Sequence, residues 1–323
     1  MKLILRLLLG LVFLVMALWA TGAVYYSNLP EEWMRQAGAG LFALISIVLL
    51  AAVRPWWRTW LFFLFLFGAV VVWFLLIPAS NQRPWRPDVA VLPYAEVKGD
   101  KVTIHNLRHC DYRTETNYTV RHYDRTFDLA KLRTVDVSVV HWGSPHIAHT
   151  LLSYGFEGGG YVCFSIETRM EKSESYSALK GFFRQYELTY VVADERDLIR
   201  LRTNFRHEQV YLYRMKTDPR VARQVFLSYA AEMNRLREKP AWYNVVTRNC
   251  TTDIRTLSLP FAQNKGWDWR MLVNGHVDEM AYDNGALDRR LPFEQLKARS
   301  LINERAKAAG DSPNFSRLIR AGM

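Results

Sequence analysis

The sequence predicts an α+β protein: a three-helix transmembrane anchor at the N-terminus, then a domain with an antiparallel sheet and flanking helices. Half of the 323 residues are hydrophobic, yet the mean hydropathy is slightly negative, so the apolar residues are concentrated in one part of the chain. Beyond residue 78 the apolar residues instead form short alternating runs typical of strands and one long run with a helical period.

The predicted anchor occupies residues 1–78 and contains three apolar stretches, 7–26, 37–53 and 60–77. Each is close to the roughly 20 residues that a helix needs to cross a hydrocarbon core, although the second is somewhat short. A cleaved signal peptide would account for the first stretch but not for the other two. We therefore predict three membrane-spanning helices.

The basic residues around these stretches predict the orientation of the chain. Lys2 and Arg6 precede the first stretch, and Arg54 and Arg58 separate the second from the third, whereas the first loop is mainly acidic. By the positive-inside rule the N-terminus then lies in the cytoplasm. Because three crossings export everything that follows, we expect a bacterial inner-membrane protein whose C-terminal domain lies in the periplasm.

Charge is informative about the partners of the exported domain. The formal net charge is +11, and the segment through Pro78 holds five cations and two anions, which leaves +8 for the rest of the chain. Basic side chains near anionic headgroups are attracted by about 1 kcal/mol each. This pattern favours a substrate that lies in the membrane, with a generic solvated basic surface as the alternative, and we expect no nucleic-acid partner.

Residues 79–99 are predicted to be a linker because Pro78, Pro84 and Pro87 punctuate this part of the chain. The domain is expected to span 100–323. Strands are predicted at 101–106, 118–121, 135–142, 151–156, 161–166, 186–192 and 210–213.

Two further patterns organise the domain. The glycine-rich segment 157–160 predicts a hairpin between two of these strands, since glycine adopts a positive φ at little cost. Helices are predicted over 219–237 and from Asn249 through Leu257, and a charged tail that includes 288–299 is expected to form covering helices.

The three cysteines are Cys110, Cys163 and Cys250, an odd number in a compartment where disulfides form. At least one thiol is therefore free, and a disulfide between the first two is one alternative. Cys250 lies at a predicted helix start, where the helix dipole stabilises a thiolate, and Asn249 or Thr251 could cap the same helix end. The alternative is a buried, inert thiol.

A thiol nucleophile needs a histidine as its base and a third group that orients the ring. His149 leads into the first strand of the predicted hairpin and Glu167 follows the second, so the pairing of these strands places them opposite each other. Arg169, Tyr243 and His146 are predicted supporting or substrate-binding residues. The alternative is a strand-edge histidine and a salt bridge between Glu167 and Arg169.

A metal site is a weaker hypothesis. His141, His146, His149 and Glu157 could together ligate zinc, but their spacing matches no standard zinc motif. We expect no metal and no cofactor. The charged stretch 194–202 is interpreted as a solvated face or a salt-bridge network, with paired charges near a substrate cleft as a further alternative.

Several short motifs occur together in one order along the chain. They are 147–154 (IAHTLLSY), 164–169 (FSIETR), 181–187 (GFFRQYE), 193–197 (ADERD) and 249–252 (NCTT). With these motifs the chain resembles the Lnb-type N-terminal periplasmic domain family, whose characterised branch comprises lipoprotein intramolecular transacylases. The resemblance implies that Cys250 is the acyl-accepting nucleophile and His149 its base, whereas the role of Glu167 rests on the hairpin alone.

The order of histidine before cysteine is also similar to that of circularly permuted papain-like enzymes of the NlpC type. The resemblance therefore implies a papain-like domain and a membrane-tethered, cysteine-dependent acyltransferase or acyl-ester hydrolase that acts on lipoprotein or phospholipid. The anchor precedes the domain here and follows it in the transacylases, so donor and acceptor stay open. The alternatives are a peptidase or amidase of peptidoglycan stem peptides and a non-catalytic envelope scaffold.

Overall fold

The computed structural model describes residues 2–258, 266–271 and 273–323. The chain forms two compact units. The first contains the chain up to residue 80 together with 176–186 and 242–244, and the second contains 81–175, 187–241 and 245–323.

The first unit contains three long apolar helices, each long and apolar enough to cross a membrane. They are α1 (Lys2–Tyr25), α2 (Glu32–Ala52) and α3 (Trp56–Leu76). Each begins four or five residues before the apolar stretch that predicted it, because the flanking polar and aromatic residues are compatible with helix and extend the first turn. The protein is thus membrane-anchored.

Aromatic side chains hold these helices together. The rings of Phe13 on α1 and Phe63 on α3 lie 4.0 Å apart between centroids, and Phe63 is completely buried. Other apolar side chains, such as Leu7 and Phe65, are widely exposed on the outside of the unit. Exposed apolar side chains around a packed centre are typical of helices that face lipid.

A segment from the middle of the sequence also belongs to this unit. The ring of Phe183 lies so close to α1 that a Cβ on Gly22 would come within 2.6 Å of it. Arg184 donates to the carbonyls of Leu75 and Ile77, at 3.0 and 2.9 Å. These carbonyls lie at the C-terminal end of α3, where no helical partner is available, so the guanidinium satisfies them.

The second unit is built on one eight-stranded sheet. Its strands are β1 (Tyr94–Lys98), β2 (Lys101–Tyr112), β3 (Tyr118–Asp128), β4 (Leu132–His141), β5 (Ala148–Phe156), β6 (Tyr161–Arg169), β7 (Glu187–Ala193) and β8 (Gln209–Arg214). The order is β1-β2-β7-β6-β5-β4-β8, and β3 pairs with β2. All pairs are antiparallel except β2 and β7.

Seven of these strands overlap the seven predicted ones, but β1 lies inside the range predicted as linker. Its residues pair with β2 from Tyr94 opposite His105 to Lys98 opposite Lys101. The intervening Gly99 has a φ of 61°, which suits the tight turn between the two strands. The prolines that precede β1 made the whole segment look like a linker, although only its first part lacks a strand.

Helices flank the sheet, as the sequence predicted. They are α4 (Glu195–Arg200), α5 (Pro219–Glu238), α6 (Cys250–Ser258), α7 (Val277–Asp283), α8 (Phe293–Ser300), α9 (Asn303–Ala309) and α10 (Phe315–Leu318). Helix α5 buries Val225, Phe226, Tyr229 and Met233 with the periodicity that predicted it. The chain is therefore a mixed α+β protein with a membrane anchor and a sheet domain.

The charged stretch after β7 is a buried salt-bridge network. Glu195 and Asp197 on α4 are completely buried. Glu195 pairs with Arg320 at 2.6 Å and Asp197 with Arg108 at 2.7 Å. Buried charges of this kind persist only when they are paired and hydrogen-bonded, so this part of the stretch ties α4 to its neighbours.

Candidate active site

Cys250 is the first residue of α6 and is buried. Asn249 immediately before it is the cap: its Oδ1 accepts hydrogen bonds from the backbone N–H groups of Thr251 and Thr252, at 2.9 and 3.0 Å. The cap therefore engages two donors of the first turn but not the N–H of Cys250 itself. The hydroxyl of Thr251 lies 3.9 Å from Cys250 Sγ.

The hairpin brings His149 and Glu167 together. In β5 and β6, Leu151 is opposite Ser165, and two further residues along the same register place His149 opposite Glu167. His149 Nε2 lies 2.7 Å from Ser165 Oγ and 3.3 Å from Glu167 Oε1. Ser165 donates its hydroxyl proton to Glu167 at 2.6 Å. The Ser165 oxygen is thereby left to accept a hydrogen bond from Nε2, which suits a protonated imidazole.

Glu167 is also held from the other side by Arg202, which donates to its Oε1 at 3.0 Å. Arg202 pairs in addition with Glu208 at 3.2 Å. It lies in a π-helical turn, Leu201–Phe205, that follows α4. The chain then reverses at His207, whose φ of 55° is unusual for a residue other than glycine. Single π turns and strained backbone are frequent at functional sites.

The electrostatics of this cluster favour an ion pair between the thiol and the imidazole. Burial would raise the pKa of the Cys250 thiol, but the charge of His149 and hydrogen bonds from its ring and from the Thr150 backbone bring it below its ordinary value. Burial opposes the charged imidazole, yet Glu167 and Cys250 raise the pKa of His149 to about 9. A thiolate beside an imidazolium is the reactive form of such a pair.

The carboxyl group of Glu167 is the third charged member of this cluster. Burial disfavours its charged form, but His149 and then Arg202 hold its pKa well below the ordinary value. Glu167 is therefore an anion throughout the neutral range, in position to orient and charge the imidazole. Its side chain retains 24% of its accessible surface, so the cluster is not completely closed to solvent.

The other two thiols are different in kind. Cys110 and Cys163 are both free and buried, so the alternative of a disulfide between them is wrong. Burial raises the pKa of Cys110 to about 12 and also raises that of Cys163. Both are protonated at neutral pH and pack in the sheet, whereas Cys250 is the thiol whose pKa is lowered.

Arg169 and His146 lie outside this cluster. Arg169 donates to the Val89 carbonyl at 2.9 Å, and also to Asn81 and the Ala90 carbonyl at 2.8 Å each. It thereby fixes the segment before β1, and the alternative of a Glu167–Arg169 salt bridge is not formed. His146 Nδ1 lies 2.9 Å from His276 Nε2.

Tyr243 belongs to the other compact unit, where its backbone N–H donates to the Tyr186 carbonyl at 2.9 Å. The hypothetical zinc ligands are also separated, since Glu157 pairs with Arg133 at 2.7 Å. Within the described residues, no group of three or more histidine, cysteine or acidic side chains could hold a metal ion.

An apolar cavity of about 570 Å³ lies next to Cys250. Thr251, whose hydroxyl is 3.9 Å from Cys250 Sγ, lines it, as does Thr150, whose side chain points to the sheet face opposite to that of His149. Its walls are the sheet face, α5, α6 and α7, with side chains that include Val137, Val139, Leu152, Val225, Ile254 and Met280. This volume is within the usual range of small-molecule pockets, roughly 300–1,000 Å³.

Sequence reasoning missed two members of the cluster, Ser165 and Arg202. Ser165 lies two residues before Glu167 on the same strand, hence on the same face, and this spacing was the signal that could have found it. Arg202 stood in the charged stretch, but no local pattern pairs it with a carboxylate 35 residues earlier.

The comparisons with known proteins agree with the resemblance found in the sequence. Residues 118–275 match the family model described as the Lnb N-terminal periplasmic domain. Neither the curated proteins nor the solved structures gave a match. The predicted resemblance is therefore confirmed for residues 118–275, and this match indicates a periplasmic, membrane-associated protein.

Proposed function

We propose that this protein is a cysteine-dependent acyltransferase or acyl-ester hydrolase whose donor is a lipoprotein or phospholipid of the bacterial inner membrane. The observation that carries the proposal is the cluster of Cys250, His149 and Glu167, in which a thiol of lowered pKa faces an imidazole backed by a carboxylate. A helix N-terminus packed against an antiparallel sheet that carries the histidine supports a papain-like arrangement, which we include in the proposal.

The reaction has two half-steps. The Cys250 thiolate attacks the ester carbonyl carbon, a C–S bond forms, and the departing alkoxide takes the proton held by His149. An amine or water then attacks the resulting thioester, gives its proton to His149, and expels the thiolate. Glu167 keeps the ring oriented and stabilises its charge before attack and after each proton return.

The oxyanion of each tetrahedral intermediate needs hydrogen-bond donors. The backbone N–H of Cys250 serves this purpose, since Asn249 engages the next two N–H groups of α6. Removal of one such donor typically costs about 2.7–4 kcal/mol of transition-state stabilisation.

Three features support an acyl donor over a peptide. The apolar cavity begins at Thr150 and Thr251 and can receive an alkyl chain, because burial of each methylene contributes about 0.8 kcal/mol. The three apolar helices tether the chain to the membrane. The basic charge of the rest of the chain favours anionic headgroups.

Formation of a thioester at Cys250 tests the proposal. Purified full-length protein in detergent is incubated with a diacylglyceryl-modified peptide or with phosphatidylglycerol, and the acylated residue is located by mass spectrometry. We expect one acyl group, on Cys250, that neutral hydroxylamine releases. Cys163→Ala is the matched control, since it removes a free buried thiol from the sheet and should leave acylation unchanged.

Cys250→Ala should abolish acylation. Equal acylation of this variant and the wild type would refute the proposal, and so would cleavage of peptidoglycan stem peptides by a protein that never forms a thioester from lipid esters. Failure of Cys250 to react with small alkylating agents at neutral pH would instead favour a non-catalytic scaffold.

A further inference from the structure

A second cavity, about 1320 Å³ in volume, lies at the opposite end of β5 and β6 from His149. It is formed around the glycine turn of the hairpin, the segment before α8, and α8 and α10, all within the sheet domain. Its size exceeds what a single ion would fill. The reaction proposed above does not use it.

The lining of this cavity is strongly basic. Its cationic side chains are Arg125, Arg214, Lys216, Arg290, Arg299, Arg317 and Arg320, and the only acidic side chains among its described lining residues are Asp194 and Asp288. Seven cations against two anions is an unusual local excess even in a basic domain. A concave wall of one sign concentrates counter-ions by focusing the field.

Part of this charge is structural. Arg320 is bound to the buried carboxylates of Glu195 and Asp136, at 2.6 and 2.8 Å, and Arg214 also pairs with Asp136. Asp288 pairs with Arg290 at 2.5 Å and lies 3.8 Å from Lys216. These ion pairs involve four of the seven cations, Arg214, Lys216, Arg290 and Arg320.

The remaining three arginines are not neutralised in this way. Within the part of the chain that the structure describes, Arg125, Arg299 and Arg317 have no salt-bridge partner. The Arg125 guanidinium lies against the glycine turn, since a Cβ on Gly160 would come within 2.4 Å of its Nη2 atom. Glycine at this position therefore allows the guanidinium to lie beside the turn.

We propose that this cavity binds an anionic, phosphate-bearing ligand through Arg125, Arg299 and Arg317. A guanidinium presents a planar fork of donors that matches two phosphate oxygens. Three guanidinium groups therefore suit a ligand whose phosphate oxygens are accessible from several sides. The volume of the cavity suits a lipid headgroup or a small soluble polyphosphate. The proposal does not depend on the thiol chemistry of Cys250.

Calorimetry on the full-length protein in neutral detergent tests it with three probes: inorganic tripolyphosphate, dihexanoyl phosphatidylglycerol and dihexanoyl phosphatidylcholine. We expect one of the two anionic probes to bind, with an affinity that falls as salt is added. Binding of phosphatidylglycerol alone identifies a headgroup as the source of the phosphate, and binding of tripolyphosphate alone identifies a soluble ligand.

The triple variant Arg125→Gln, Arg299→Gln, Arg317→Gln should bind about 1000-fold more weakly, from about tenfold for each of the three lost charge-assisted contacts. A matched control carries Arg121→Gln, Lys172→Gln and Lys239→Gln, exposed cations outside the cavity, and should stay within about twofold of the wild type. Equal weakening in both variants, binding of all three probes alike, or binding of neither anionic probe overturns the proposal. Alkylation of Cys250 at the wild-type rate verifies that each variant is folded.

Discussion

Replacing Glu167 by glutamine removes one negative charge from the cluster while keeping its shape. The carboxylate oxygen Oε1 lies 3.3 Å from His149 Nε2, and glutamine can still hydrogen-bond Ser165. Only the electrostatic support of the imidazolium is therefore lost. Arg202 remains nearby and now opposes the ring charge without a carboxylate between them.

The magnitude follows from that distance. An opposite charge within about 4–6 Å changes a pKa by about 1–3, so the pKa of His149 should fall by roughly this amount from about 9. Because a weaker imidazolium supports the thiolate less, the pKa of Cys250 should rise toward the free-cysteine value of about 8.5. The thiolate–imidazolium pair exists between these two pKa values, so its pH range narrows from both sides.

The assay is the rate of Cys250 alkylation by iodoacetamide between pH 4 and pH 10, read by mass spectrometry. In Glu167→Gln the acid limb should move to higher pH, and on that limb the rate should fall roughly tenfold for each whole pH value by which the limb moves. Glu157→Gln is the matched control: it removes an exposed carboxylate from the same hairpin, paired only with Arg133. An unchanged acid limb in Glu167→Gln, or an equal movement in the control, would refute our account of the cluster.

Three other substitutions give distinct expectations. Asn249→Ala removes the cap of α6 and should lower the free energy of unfolding by about 1 kcal/mol in denaturant titrations, whereas Asn249→Asp should retain most of it. Arg169→Gln loses hydrogen bonds to the segment before β1 and should cost about 2–4 kcal/mol without moving the Cys250 pH profile; a moved profile would place it in the site after all. Ala222→Phe intrudes into the apolar cavity and should slow acylation by long-chain esters roughly fourfold per displaced methylene, with acetyl esters unaffected; equal slowing of both would contradict an acyl pocket.

Much of the fold could be predicted because its signals are local. The three apolar stretches are about as long as a membrane-spanning helix, so their length and composition were enough to predict the three helices. The hairpin was also local: with a glycine turn between two alternating runs, the register follows from counting outward, and this places His149 opposite Glu167. The start of α6 at Cys250 could be predicted from the polar residues that precede and follow it.

The partners of buried charges could not be predicted, because they depend on which elements meet in space. Arg169 is two residues from Glu167 on the same strand, and the sequence left a salt bridge between them open as an alternative. In the structure Arg169 instead turns to carbonyls near residue 89, while Arg202 reaches Glu167 from another element. The residues next to Arg169 and Arg202 in the sequence do not show which of the two arginines pairs with Glu167.

Buried charge alone does not mark the candidate site. The Asp197–Arg108 pair and the Glu195–Arg320 pair are at least as deeply buried as Glu167 and Arg202, yet each carboxylate there meets only arginines and neutral groups of the core. A pair of that kind can be explained by packing, and apolar replacements of similar volume are often no less stable.

The cluster at Glu167 differs in what lies next to it. The Glu167 carboxylate raises the pKa of His149, and the charged imidazole in turn lowers the pKa of the Cys250 thiol, which burial alone would have kept protonated. Arg202, which holds Glu167, lies in a π turn, and the backbone has a positive φ at His207 shortly after it. Irregular backbone is frequent at functional sites, so the π turn at Arg202 supports our proposal of chemistry at Cys250 together with the lowered pKa of the thiol.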